Sequence, residues 1–217
     1  MQNPAYIQQL VYPETDGEPM AETDLHAKLM IDLWFALNNF FRDDPQVYVT
    51  RNLFLYYVKG DPKKRVAPDV FFVRGVPKGD RRVYFLWEEG VVPQVVVELS
   101  SQSTWREDVF KKFHTYQSLG VEEYYIFDPT SDYMKDQPLL GFRLEDGQYV
   151  EMDVKDGRLR SQALGLDLVH TGETLGLVNP ATGEMLLTPE EESMARVRVE
   201  TENEQLRAEL ARLRQQA

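Results

Sequence analysis

The sequence predicts a mixed α/β (α+β) fold: a mixed sheet flanked by helices, with β-hairpins and a C-terminal helix after it. A hydrophobic run, Val95 to Ser100, is followed by a helix-like stretch from Thr104 to Leu119 and by a second buried-strand pattern, Glu123 to Asp128. Strand, helix, strand in that order needs a crossover connection, so at least one strand pair is parallel. Further on, Gly141 to Met152 forms a two-strand pattern around Asp146-Gly147, a turn pair that favours a hairpin.

The elements follow in order. From Ala21 to Phe41, the residues Leu25, Leu29, Leu33, Leu37 and Phe40 recur at three- and four-residue steps, the apolar stripe of an amphipathic helix that Thr23 or Asp24 can cap. Valine- and aromatic-rich runs at 47–49, 53–58, 70–73 and 83–87, separated by Asp/Pro/Gly/Lys loops, read as a meander of strands. Pro93 opens the next run, which is apolar enough for a central strand covered on both faces. Thr104 and Glu107 have capping-box spacing, Gly120 closes that helix, and Pro129 stops the following strand. Turn signals at Asp156-Gly157, Asn179-Pro180 and Thr182-Gly183 indicate further hairpins. The expected division is a body over 1–188 and a charged C-terminal helix over 189–217. In that helix Val199, Asn203, Leu206, Leu210 and Leu213 fall on one seam, a short coiled coil and a route to a homodimer, with a lone frayed helix as the alternative.

The chain has 217 residues, 42% of them hydrophobic, enough for one domain with a real core. With no cysteine, disulfides and thiolate metal sites are ruled out. Met1 to Tyr6 shows no leader pattern and no run is long enough to span a bilayer, so a cytoplasmic protein without membrane contact is expected. A net charge of −12 argues against general nucleic-acid coating, yet Lys59 to Arg82 holds eight basic residues against three acids and leaves room for one basic surface near Asp69. Three histidines and no Gly-x-x-x-x-Gly-Lys loop leave little material for a zinc, triad or nucleotide-loop chemistry.

The chemistry-bearing residues lie in the middle of the chain. Asp69 follows Pro68, and Glu98 sits inside the apolar run, where an unpartnered carboxylate is costly. Along a strand, Glu98 shares a face with Val96 and Ser100. On the next helix, stepping about 100° per residue places Val109, Phe113 and Tyr116 on the core side, Lys112 at its edge and Lys111 toward water. Asp108, Lys112 and Tyr116 form one row at four-residue spacing, so the aspartate can pair with the lysine and the tyrosine can cover its stem. Two acids at neighbouring strand ends with a lysine beside them are the parts of a divalent-metal phosphodiesterase.

Pro68-Asp69, Val97-Glu98-Leu99-Ser100 leading into Ser103-Thr104, Asp108 with Lys112 and Tyr116, Gly120-Val121, Glu123-Tyr124 and Asp128-Pro129 together resemble the putative restriction endonuclease family abundant in cyanobacteria. That family was long catalogued as a domain of unknown function and belongs to the PD-(D/E)XK nuclease superfamily; the resemblance spans about Tyr12 to Leu187. It implies Asp69 and Glu98 as ligands of magnesium or manganese, the Leu99 carbonyl as a further ligand, Lys112 as the catalytic lysine, and a nucleic-acid substrate, DNA above all. In the superfamily the lysine usually stands two residues after the second acid, where this chain has Ser100. His26, Ser100 and Tyr116 are second-tier candidates.

Each choice has a structural rival. Asp69 can simply open a strand, Lys112 can be a helix-edge lysine paired to Asp108, His26 can be a packing residue, and Tyr116 can be core. Trp34, Trp87 and Trp105 read as packing. Two other functional classes remain: a catalytically silent module binding nucleic acid or protein, and an assembly protein using its C-terminal helix.

Overall fold

The computed structural model describes residues 11–15, 23–101, 104–172 and 174–216. Met1 to Tyr6, the expected helix start at Ala21, and Ser103 lie outside the described residues. In chain order the elements are α1 (Asp24–Phe40), β1 (Val47–Arg51), β2 (Leu55–Tyr56), β3 (Arg65–Val66), β4 (Val70–Arg74), β5 (Tyr84–Phe85), α2 (Leu86–Glu89) and β6 (Val95–Leu99). There follow a π-helical stretch (Glu107–Lys112) running into α3 (Phe113–Leu119), then β7 (Glu123–Phe127), β8 (Leu139–Glu145), β9 (Gln148–Glu151), β10 (Arg158–Arg160), β11 (Asp167–Thr171), β12 (Thr174–Val178) and α4 (Pro189–Gln216).

The main sheet has the order β1-β4-β6-β7-β8-β9. Only β6 and β7, joined by the helical crossover, run parallel; the other neighbours are antiparallel. The β8–β9 turn is Asp146-Gly147, both at positive φ (49° and 79°), as a two-residue hairpin requires. The fold is thus the expected mixed sheet with helices.

The meander is corrected. β1 pairs with β4, while β2 leaves to form a small sheet with β3 and β5, antiparallel to one and parallel to the other. Asn52 turns the chain out of the sheet at φ 47°, its N–H donating to the Pro68 and Asp69 carbonyls. The strand expected through Trp87 ends at Phe85, and Trp87 lies in α2, closed by Gly90 in the left-handed region.

Burial divides as strand alternation dictates. Val95, Val97 and Leu99 pack with Leu29, Leu33 and Leu37 of α1 and with the leucines of β10–β12. Val96 packs on the other side with Tyr116, Tyr124, Ile126 and Tyr84. Phe40 does not join the α1 stripe: it is 39% exposed, and Phe41 takes the core position against Phe72 instead. The cap of α1 is Thr23, which accepts from the His26 N–H at 3.2 Å. The expected Thr104/Glu107 box is absent, because the Thr104 hydroxyl accepts from the Ser101 N–H and Glu107 pairs with Lys111. A reciprocal box opens α4 instead, where the Thr188 N–H donates to Glu191 and the Glu191 N–H to the Thr188 hydroxyl. Among the described residues no helix is long and apolar enough to cross a membrane.

Candidate active site

The sheet register builds the site. β4 and β6 pair with Val70 opposite Val97, so the next step outward sets Asp69 opposite Glu98. Directly opposed residues point to one side, and two hydrogen bonds tie the pair: the Leu99 N–H donates to Asp69 Oδ2 at 2.7 Å, and the Asp69 N–H to Glu98 Oε2 at 3.4 Å. Pro68, lacking an N–H, ends the pairing there and leaves Asp69 at the lip of the sheet. Its side chain keeps 15% exposure, whereas Glu98 is fully buried.

The crossover helix supplies the cation. Lys112 Nζ lies 2.9 Å from Glu98 Oε2 and 2.9 Å from Asp108 Oδ1, while Lys111 points to solvent toward Glu107. The Tyr116 hydroxyl donates to Glu98 Oε1 at 2.6 Å, so this core residue also holds the buried carboxylate. Ser100, in the position usual for the lysine, donates to Asp108 Oδ2 at 3.2 Å and helps fix the aspartate that holds Lys112. From the other layer, His26 Nε2 approaches Asp69 Oδ1 at 3.3 Å. The structure therefore brings together Asp69, Glu98 and Lys112, with His26, Ser100, Asp108 and Tyr116 around them.

Among the described residues the charges of the cluster do not balance. Three carboxylates, Asp69, Glu98 and Asp108, face one ammonium and one imidazole. Burial pushes Asp69 up, but the His26 hydrogen bond, the Lys112 charge and the Leu99 N–H together hold it below the ordinary carboxylate value. Burial raises Glu98 well above that value, beyond what Lys112 draws back, and the charges of Asp69 and Asp108 raise it further. Burial lowers Lys112, yet Glu98, Asp108 and Asp69 outweigh it and keep the lysine protonated.

A divalent cation fits these residues. Two opposed carboxylates offer hard oxygens, and burial, with the charges of Asp69 and Asp108, holds one of them, Glu98, above its ordinary pKa. Among the described residues no three His, Asp or Glu side chains form a metal-ligand group. The Asp69, His26 and Lys112 side chains beside the buried Glu98 keep 15%, 14% and 16% exposure. A surface cleft of about 580 Å³ lined by Arg143, Arg160, Asp167 and their neighbours shares none of these residues.

His26, a second-tier candidate, lies 3.3 Å from Asp69. It lies on α1, whose phase says only that it borders the apolar stripe; the layer-to-layer contact with Asp69 comes from tertiary packing. The π-helical stretch was also not foreseen.

Opposed acids on adjacent strands, with a lysine from the crossover helix, make a buried, acid-rich polar cluster in a mixed α/β sheet. The family described as Uma2, putative restriction endonuclease, matches residues 8–171, and the chain belongs to that family. Among solved structures it is similar to a putative nuclease belonging to DUF820 from Anabaena variabilis ATCC 29413, at 13% identity and a TM-score of 0.49, covering 66% of this chain and 75% of that one. No curated protein matches the chain.

Proposed function

We propose that the protein is a metal-dependent endonuclease that hydrolyses phosphodiester bonds, with DNA as substrate and Asp69, Glu98 and Lys112 as its catalytic set. The observation that carries this reading is the opposed Asp69–Glu98 pair with Lys112 Nζ 2.9 Å from Glu98. Asp69 and Glu98 would hold magnesium or manganese, and the Leu99 carbonyl would be a further ligand. When bound, the ion polarises the phosphate and lowers the pKa of a coordinated water.

The chain's own residues do the rest. Asp108 and Glu98 grip Lys112 from two sides, so its ammonium arrives pre-oriented to position the attacking water or to steady charge developing on the phosphate. Tyr116 fixes the Glu98 carboxylate from behind, leaving its rotamer no freedom. His26 and the Leu99 N–H aim Asp69 and keep it ionised. Ser100 secures Asp108, which lets the lysine act from the helix and not from the strand.

The test is cleavage of duplex and single-stranded DNA, and of RNA, by the purified full chain with magnesium or manganese, beside Asp69→Ala and Glu98→Ala. Loss of cleavage in both variants, each folded by circular dichroism, is expected. Cleavage that persists in both overturns the assignment.

A further inference from the structure

We propose that α4 pairs with α4 of a second copy of this chain as a parallel, in-register two-stranded coiled coil. From Arg196 to Gln215 every side chain of this helix is exposed, including Val199, Leu206, Leu210 and Leu213 at 54–57%. A helix of this length with no packed face draws little from intrinsic propensity, so a partner is what would stabilise it.

The sequence of the face specifies which partner. Leu206, Leu210 and Leu213 are spaced four and three apart, and continuing that frame backward gives Asn203, Val199 and Arg196. This is an a/d seam with leucine or valine at each d position (Val199, Leu206, Leu213) and Arg196, Asn203 and Leu210 at a. Flanking it, Glu202 and Glu209 occupy g, whereas Arg207 and Arg214 occupy e. In a parallel pair each g residue meets the partner's e residue five positions on, so Glu202 meets the partner's Arg207 and Glu209 meets the partner's Arg214. Both contacts are attractive, and symmetry doubles them. An antiparallel pair would instead set glutamate against glutamate and arginine against arginine. Asn203 at a buried a position further favours a two-stranded, in-register pair, where the two amides meet each other. A self-complementary surface of this kind calls for an identical copy.

The helix is also joined to the body that carries the site. Its first turn is capped by Thr188, and Asn39 of α1 donates to Glu192 at 2.9 Å. Pairing through α4 thus joins two whole chains about one two-fold axis.

The experiment uses the full chain. Analytical ultracentrifugation at about 1 to 100 μM is expected to approach twice the 25.2 kDa chain mass as concentration rises. Leu206→Asp with Leu210→Asp should return the mass to that of one chain while the near-ultraviolet dichroism of the body is unchanged. Because the chain has no cysteine, Asn203→Cys introduces a single thiol, and oxidation should crosslink it to its counterpart in a parallel pair. Two charge variants sharpen the register: Glu202→Lys with Glu209→Lys, and Arg207→Glu with Arg214→Glu, should each be monomeric alone and form a mixed dimer together. A monomer at 100 μM overturns the proposal, as does a dimer that survives the double aspartate variant. A dimer that Asn203→Cys fails to crosslink overturns the parallel register.

Discussion

Two glutamates lie buried on adjacent strands of the main sheet, and their surroundings differ. Glu98 on β6 and Glu123 on β7 are 0% and 2% exposed, at opposite ends of the parallel pair. Glu123 is fully provided for: Arg143 approaches through Nη2 at 3.1 Å and Nε at 3.3 Å, the Tyr125 and Ser161 hydroxyls donate to it, and so does the Gln162 N–H. It ties the main sheet to the β10 region and has no neighbouring acid within that set. Glu98 shares one lysine with Asp108 and stands opposite Asp69. Burial of a carboxylate is common to both; the excess of acids over cations is confined to the first. That excess is the feature on which the proposed catalytic role of Glu98 rests, and Glu123 lacks it.

The comparison breaks most sharply under truncation. Asp69→Ala and Glu98→Ala are expected to lower cleavage on the order of 10²–10³-fold or more, the scale of losing one preorganised charged group. Glu123→Ala should leave cleavage per folded molecule near that of the parent but destabilise the chain by about 3 kcal/mol, because Arg143 and two buried hydroxyls lose their acceptor. Parallel assays of cleavage and thermal unfolding check this. A Glu123→Ala protein that stays folded yet cannot cleave would erase the distinction.

Lys112→Met is the next test. It removes the one ammonium between Glu98 and Asp108, so cleavage should fall about 10²-fold and the metal-free protein should lose stability on the order of 3–5 kcal/mol near neutral pH. Lowering the pH should restore part of that stability, since protonating the stranded acids removes their repulsion. Urea unfolding at two pH values reads both effects.

Much of this site was legible in the sequence, for reasons that can be named. A strand buried on both faces must read as a continuous apolar run, which exposed Glu98 as the one charge inside it. Helix phase separated Lys112 from Lys111, and the structure leaves them 16% and 77% exposed. The small β2-β3-β5 sheet was not legible, because two-residue strands carry too little periodicity to show their partners. Nor was the π-helical stretch: the Tyr124 hydroxyl donates to the Asp108 carbonyl within it, a tertiary contact with no local signature. His26 was obscured for the same reason, since Asp69 reaches it only after α1 docks on the sheet.

The third test uses sign. Glu98 has a folded-state pKa above its ordinary value of 4.5, so its contribution is fully present below that value and is lost as pH rises toward the folded value. Asp69 works in reverse: its contribution is present above its ordinary value and is lost as acid protonates it. Glu98→Gln removes only the first effect. The amide oxygen can accept from Lys112 and its NH₂ can face the Tyr116 hydroxyl oxygen. Near neutral pH the metal-free variant is therefore expected to melt higher than the parent, each kcal/mol counting for about 2–4 °C in a chain of this size, although it no longer cleaves. Magnesium or manganese should raise the melting temperature of the parent and leave the variant nearly unmoved. A variant less stable than the parent at pH 7 would mean that Glu98 is as well compensated as Glu123.

The smallest expected effect tests the helix-phase argument itself. Lys111 is 77% exposed and pairs with Glu107 at 2.8 Å, a solvent-screened contact one helical turn long. Such pairs contribute about 0.3–0.5 kcal/mol, so Lys111→Ala should shift the melting temperature by about 1–2 °C at most. Cleavage on a short duplex should stay within about twofold of the parent. Lys111 and Lys112 are adjacent, identical in type and three and four residues on from Asp108, both within one helical turn of it; the decisive difference is the direction in which the helix aims them. A large loss of cleavage in Lys111→Ala, persisting when salt is raised enough to screen surface charge, would mean that the lysine at the water-facing phase takes part in the reaction.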